Sequence, residues 1–227
     1  MRVLVVAAHP DDEVYGVGGT LVRHKEAGDE TFVCIVTEGC SQQYRDLGKK
    51  RLAEITRQKK EEAKEAAKIL GVKEVFFSDL PDMKLDTIAH AELNGAIESC
   101  IKEIKPDILY THHWGDVNKD HKLVFESTMV AARPGISWQI KRVLLYETPS
   151  STEWNAPLPE TTFLPNVYVD ISSTLEIKLS AMKAYKSELR PFPHPRSIEA
   201  VKIYSGKNGL VVARSAAEAF RLIREVI

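Results

Sequence analysis

Apolar runs of strand length alternate with amphipathic helical segments along the chain, and this alternation constrains the fold more than any other feature. "RVLVVAA" (2–8) is a continuous apolar run, the pattern of a strand covered on both faces. A short helix ending at Gly28 follows, then "TFVCIVT" (31–37) as a second strand. Residues 49–70 read as the clearest helix. Leu52, Ile55, Ala63, Ala66, Ile69 and Leu70 recur at helical spacing, charges fill the other face, and Gly71 stops it. "VKEVFFSD", "DILYTHH", "IKRVLLYET" and "NVYVDI" read as further strands, with helices over 86–104, 120–133 and 173–188. The end is mixed: "PFPHPRS" is held extended by its prolines, "AVKIYSG" reads as a strand, and a last helix begins at about Ser215. Such alternation builds βαβ units, so an α/β fold with a mostly parallel sheet is expected, as one domain over 1–227.

Composition narrows the class. The 227 residues are 44% hydrophobic and 28% charged, with a formal net charge of -1. A chain this long buries a core without staples, and the balanced charge excludes a general nucleic-acid binder. Cys34, Cys40 and Cys100 are too scattered for a disulfide framework or a metal knot; Cys34 and Cys100 sit in apolar patterns as small core residues. No apolar run reaches the roughly 18 residues of a membrane span, and the first strand begins at Arg2. A soluble, cytoplasmic protein is expected, with neither a membrane nor a nucleic acid as partner.

In parallel α/β sheets ligands sit outside the carboxyl ends of the strands. Two polar clusters fall there. His9, Asp11, Asp12 and Glu13 follow the first strand, and "THHWGDVNKDHK" follows the fourth, with His112, His113, Asp116, Asp120 and His121. Imidazole and carboxylate donors suit Zn²⁺ and similar ions. His9 and Asp12 are spaced to turn toward one point with Asp11 beside them. One imidazole from the second cluster would complete a His₂Asp site, leaving a free carboxylate as general base. The plainer reading makes Asp11 or Asp12 a helix N-cap. "GVGG" (16–19) faintly suggests a dinucleotide turn, but it lacks the G-x-G-x-x-G order and follows an acidic block that would repel a pyrophosphate. His24 and His90 lie on charged helix faces and read as solvated.

With "AHPDDE" and "GGTL" behind the first strand, "TEG" after the second, "AAKILGV" closing the long helix and "THHWGDVNKDH" containing D-x-N-x-D-H, the chain resembles the PIG-L/LmbE family of zinc-dependent deacetylases over most of its length. The resemblance implies a Rossmann-like three-layer sandwich. It also implies removal of the N-acetyl group from an N-acetylglucosamine-type sugar or conjugate, water on the metal attacking the amide. Carried over, His9, Asp12 and His121 would ligate zinc or another divalent transition metal. Asp11 would be the general base, and Asp120 would hydrogen-bond and tune a neighbouring histidine. Asn118 stands where many members have a histidine; it can donate to an oxyanion but cannot protonate the leaving amine, for which Asp11, His112, His113 and His194 are candidates. Glu13 would anchor the loop.

Arg57, with Lys59 as rival, would reach the sugar, although a solvated helix face accounts for both as well. Trp114 fits either a ring stacked on a sugar or one packed under its loop. His194, in "RPFPHPRS", would contact substrate in its own or a neighbouring subunit of a homo-oligomer, a trimer or hexamer. The alternatives are a hydrolase of another sugar-linked amide, such as a thiol-sugar conjugate, and a non-catalytic metal-binding oligomer.

Overall fold

The continuous apolar runs become the inner strands of one sheet. The structure, a computed structural model, describes residues 1–40, 44, 46–135 and 139–227. Strands β1 (Arg2–Ala7), β2 (Glu30–Thr37), β3 (Glu74–Leu80), β4 (Ile108–His112) and β5 (Arg142–Tyr146) pair in parallel, and β7 (Ala217–Glu225) runs antiparallel to both β5 and β6 (Val167–Asp170). The order is β3-β2-β1-β4-β5-β7-β6. The pleat divides β1 between two cores: Val3, Val5 and Ala7 join one, Leu4 and Val6 the other, which is why this strand carries no polar position after the exposed Arg2. Helices α1 (Asp12–Glu26), α2 (Lys49–Leu70), α5 (Leu175–Met182) and α6 (Ile198–Val211) contribute to the first core. The second lies under α3 (His90–Ile104) and α4 (Lys119–Ala131), giving the three layers of a Rossmann-like sandwich.

The chain leaves β1 toward β2 on one side, while β4 lies on the other. The carboxyl ends of β1 and β4 therefore flank the switch point, where such sheets leave a crevice.

The last quarter differs from its sequence pattern. "AVKIYSG" lies within α6, started by Ser197, whose hydroxyl oxygen accepts the Ala200 N–H at 3.0 Å. The expected helix from Ser215 is instead β7. Its Ala- and Arg-rich sequence favours a helix, but the segment fills the slot between β5 and β6, and that pairing overrides propensity. Residues 85–87 form a separate 3₁₀ turn ahead of α3, and α5 ends at Met182. His24 is not solvated: its Nδ1 lies 2.7 Å from Asp29 Oδ2 and its Nε2 3.1 Å from the Tyr110 hydroxyl. "GVGG" is a packing surface inside α1 rather than a phosphate turn. A Cβ on Gly16 would lie 2.3 Å from the Tyr146 ring, and one on Gly19 would lie 2.8 Å from Ile171. Among the described residues no helix is long and apolar enough to cross a membrane.

Candidate active site

Asp11 links β1 to α1 with φ at 119°, in the left-handed region that a residue with a Cβ occupies only under constraint. Its backbone N–H donates to Glu13 Oε2 at 3.1 Å, and Glu13 Oε1 accepts the Tyr185 hydroxyl at 2.5 Å. Glu13 therefore anchors the loop. The Asp11 side chain makes no capping hydrogen bond, so its carboxylate is not spent on the helix. The turn brings Asp12 back under His9, whose N–H donates to Asp12 Oδ2 at 2.8 Å.

From the β4 side, the first turn of α4 delivers His121 to the same point. His9 Nδ1, His121 Nε2 and Asp12 Oδ2 form a triangle with sides of 3.1, 3.3 and 3.4 Å. Ligands at about 2.0–2.1 Å from a tetrahedral zinc stand about 3.3–3.4 Å apart, so this donor set fits such an ion. The electrostatics agree. Burial lowers the affinity of both imidazoles for a proton, yet nearby carboxylates outweigh it. Asp12, Asp120 and Asp82 lift His9 well above its ordinary value, and Asp12 and Asp116 bring His121 to about 9. Burial pushes the Asp12 carboxyl up, but the imidazoles of His121 and His112 hold it well below the usual range. Positive charge is drawn to this point.

A second layer fixes the donors. His9 turns Nε2 toward Asp82 Oδ1 at 3.2 Å and Asp120 Oδ2 at 3.4 Å, leaving Nδ1 for the triangle. His121 Nδ1 lies 3.0 Å from Asp116 Oδ2. Asp116 in turn accepts hydrogen bonds from the Ser151 hydroxyl, from Thr152 Oγ1 at 2.8 Å and from Asn118 N at 2.7 Å. Carboxylate partners of this kind set the tautomer and aim of a ligand histidine. Asp120 spends most of its capacity on the backbone, accepting the Met83 N–H at 2.6 Å and the Leu85 N–H at 3.3 Å. Asn118 caps α4: its Oδ1 accepts the Asp120 N–H at 2.9 Å. Asn118 lines the cleft, and its NH₂ has no partner among the described residues.

The cleft, of about 220 Å³, is bounded on its far side by an ionic chain. Asp11 Oδ2 lies 3.3 Å from Arg196 Nη1, the same Nη1 lies 2.9 Å from Glu188 Oε2, and Glu188 Oε1 pairs with Lys59 Nζ. Burial and the Asp12 and Glu188 charges push the Asp11 carboxyl well up, against the pull of Arg196 and Lys59.

Several expected contacts fall elsewhere. Arg57 stands exposed on α2 and does not line the cleft, whereas its rival Lys59 is buried and lines it, contrary to a solvated face for both. The two lie about 200° apart around the helix, so only one can face inward. His194 also lies outside the lining, its Nδ1 accepting the Arg196 N–H at 3.1 Å; the neighbouring Arg196 reaches in instead. His112 is fully buried, its Nε2 2.9 Å from Ala8 N and 3.0 Å from the Tyr146 hydroxyl, and burial takes it down to about 4. His113 faces the Thr161 carbonyl at 2.9 Å. Neither lines the cleft, although His112 Nε2 lies 3.4 Å from Asp12 Oδ2 behind the triangle. Trp114 packs 4.4 Å from the His113 ring and donates its N–H to Glu160 O at 2.6 Å, so the packing alternative holds. Asp82, at the carboxyl end of β3, was open to the strand-end argument. Glu188 carried no sequence signal.

A Rossmann-like sheet with a His₂Asp donor triangle and the buried carboxylate of Asp11 beside it at the switch point defines the class, an α/β protein whose residues could hold a divalent cation. The chain belongs to the PIG-L family, described as GlcNAc-PI de-N-acetylase, whose pattern matches residues 4–132. It is 32% identical over 194 residues to an uncharacterised deacetylase of Escherichia coli K12, covering 82% of this chain and 90% of that protein. It is 29% identical to the diacetylchitobiose deacetylase of Thermococcus kodakarensis, covering 82% and 70%. In three dimensions it resembles the N,N'-diacetylchitobiose deacetylase of Pyrococcus horikoshii, with a TM-score of 0.77 at 22% identity over 98% of this chain and 83% of the other.

Proposed function

We propose that this chain is a metal-dependent amidohydrolase that removes the N-acetyl group from an N-acetylglucosamine-type sugar or conjugate. The donor triangle of His9, Asp12 and His121 beside the buried, Arg196-paired carboxylate of Asp11 carries this reading. Its kinship with deacetylases, one of them named for diacetylchitobiose, supports the choice of bond and substrate. A divalent ion held by the triangle, zinc being the best match to its size, would supply Lewis acidity toward water and the amide carbonyl.

The chain's own groups do the rest. Asp11 takes a proton from the attacking water as its oxygen bonds to the carbonyl carbon. The NH₂ of Asn118 donates to the oxyanion that forms, a contribution commonly of about 3 kcal/mol. With His112, His113 and His194 outside the cleft, protonated Asp11 returns the proton to the nitrogen as the C–N bond breaks, leaving acetate and a free amine. Lys59 and Arg196 offer donors to sugar hydroxyls from the far wall. Cytoplasmic location and assembly as a trimer or hexamer belong to the same proposal; sedimentation measures the assembly. The test of function is acetate release by zinc-loaded protein from mono- and disaccharides of N-acetylglucosamine. Release establishes the activity; a flat response on all of them overturns it in favour of a thiol-sugar amidase or a non-catalytic metal binder.

A further inference from the structure

Two of the protein's tryptophans are described, and they are built differently. Trp114 has its N–H satisfied by Glu160 O at 2.6 Å and its ring packed against His113 and Phe125. Trp154 is 57% exposed, and its indole N–H has no partner among the described residues. An exposed indole offers a large apolar face together with a hydrogen-bond donor, the combination that enriches tryptophan where another molecule docks.

The position of Trp154 indicates what that is. It ends the 3₁₀ turn Thr152–Trp154, its N–H donating to Ser151 O at 3.3 Å, and Ser151 lines the cleft. On the opposite loop, His194 is tied to Arg196, which also lines the cleft. The two rings meet edge-on, centroids 5.7 Å apart, and so join two loops that each send a residue, Ser151 and Arg196, to the cleft lining. Phe192, also 57% exposed, stands on the His194 loop. Most of the described residues that line the cleft are polar or charged, and neither a tryptophan nor a phenylalanine is among them. The interior therefore suits hydroxyls and an amide, and the rim suits a flat apolar face with a hydrogen-bonding edge. A pyranose presents both: its axial C–H bonds pack on an indole face while its ring hydroxyls reach the indole and imidazole N–H groups.

We infer that Trp154, buttressed by His194, forms a subsite for a second sugar ring, so that the substrate is an oligosaccharide or glycoconjugate whose acetylated residue occupies the cleft and whose next pyranose stacks on the indole. This rests on the deacetylase reading and adds to it the size class of the substrate.

Trp154→Ala tests it, with Trp154→Phe as the conservative partner, on N-acetylglucosamine and N,N'-diacetylchitobiose in parallel. The expected result for the alanine variant is a KM for the disaccharide raised roughly tenfold at unchanged kcat, the loss of one ring contact. The monosaccharide should be unaffected, and the phenylalanine variant should recover most of the loss. Titration with N,N'-diacetylchitobiose should also perturb the tryptophan fluorescence of the wild type and not of Trp154→Ala. Equal losses on both substrates, no loss on either, or an altered sedimentation coefficient for the alanine variant would each overturn the subsite. If the wild type releases acetate from neither sugar, the deacetylase reading falls instead, and the fluorescence titration still decides whether Trp154 meets a pyranose.

Discussion

Asp11 and Arg196 are 185 residues apart in sequence, yet Arg196 Nη1 lies 3.3 Å from Asp11 Oδ2 while also holding Glu188 at 2.9 Å. A guanidinium is a rigid fork, so the contact fixes where the Asp11 carboxylate points in a loop already held at positive φ. Arg196→Ala should lower kcat by about 10²-fold, the scale of a misplaced reacting group, with zinc content unchanged. Added guanidinium should restore part of the rate. Loss of zinc, or a change confined to KM with no rescue, would contradict a positioning role.

Asp11 itself is tested by Asp11→Asn, which keeps the shape and removes the base. The carboxyl is buried and held well above its ordinary value, so a neutral amide costs little in stability there. Zinc content and melting temperature should stay near wild type while acetate release falls about 10²- to 10⁴-fold. A rate within a factor of three of wild type would remove Asp11 from the mechanism.

Much of this was legible in the sequence because it is periodic or local. The both-faces-buried pattern of β1 and the strand-end position of "HPDDE" and "DVNKDH" point to the switch point and to His9 and Asp12 beside it, whereas His121 is singled out among the second cluster only by the family resemblance. What stayed hidden is non-local. Nothing in the sequence of α2 says which of Arg57 and Lys59 faces inward, because that depends on Glu188, 129 residues beyond Lys59. Residues 217–225 carry helix-favouring composition, and only the unpaired edges of β5 and β6 decide that they form a strand. His194 and Arg196 share a loop that is a run of turns rather than the extended segment its prolines suggest, with His194 N–H donating to Pro191 O at 3.1 Å and Ser197 N–H to His194 O at 2.9 Å; that path, not its composition, sends the arginine into the cleft.

Asp116 supports His121 through Nδ1 and gathers Ser151, Thr152 and Asn118 N around itself. Asp116→Ala should weaken zinc binding 10- to 100-fold, measured by competition with a chromogenic chelator. Chelation of the wild type should itself lower the melting temperature, because an ion that binds only the folded state stabilises it by mass action. An unchanged zinc affinity in Asp116→Ala would show that His121 is not a ligand.

Glu147 gives a pH signature away from the donor triangle. Burial drives its carboxyl up, more than the hydrogen bond from Asn208 brings it down. A carboxyl raised in the folded state binds a proton where the unfolded chain does not. Stability is therefore lost as pH rises from the unfolded value of about 4.3 through the raised folded value. Glu147→Gln should melt higher than wild type at pH 8, with the difference closing near pH 4. A difference of the same size at both values would sever Glu147 from the effect.

Lys178 and Glu218 form a buried pair that splices α1 into the rest of the fold. Lys178 Nζ donates to Tyr15 O at 2.7 Å and to Glu218 Oε1 at 2.6 Å, while the Glu218 carboxylate accepts the Gly19 and Thr20 N–H groups at 2.9 and 2.7 Å. Side chains from α5 and β7 thus bond backbone groups in the middle of the helix whose first turn carries Asp12. Removing the cation leaves Glu218 charged in a dry place, so Lys178→Met should cost about 3–5 kcal/mol in denaturant unfolding. The triangle does not touch this pair, and the surviving folded protein should bind zinc as before. A loss below about 1 kcal/mol would mean that the helix holds its position through the glycine packing against Tyr146 and Ile171 alone.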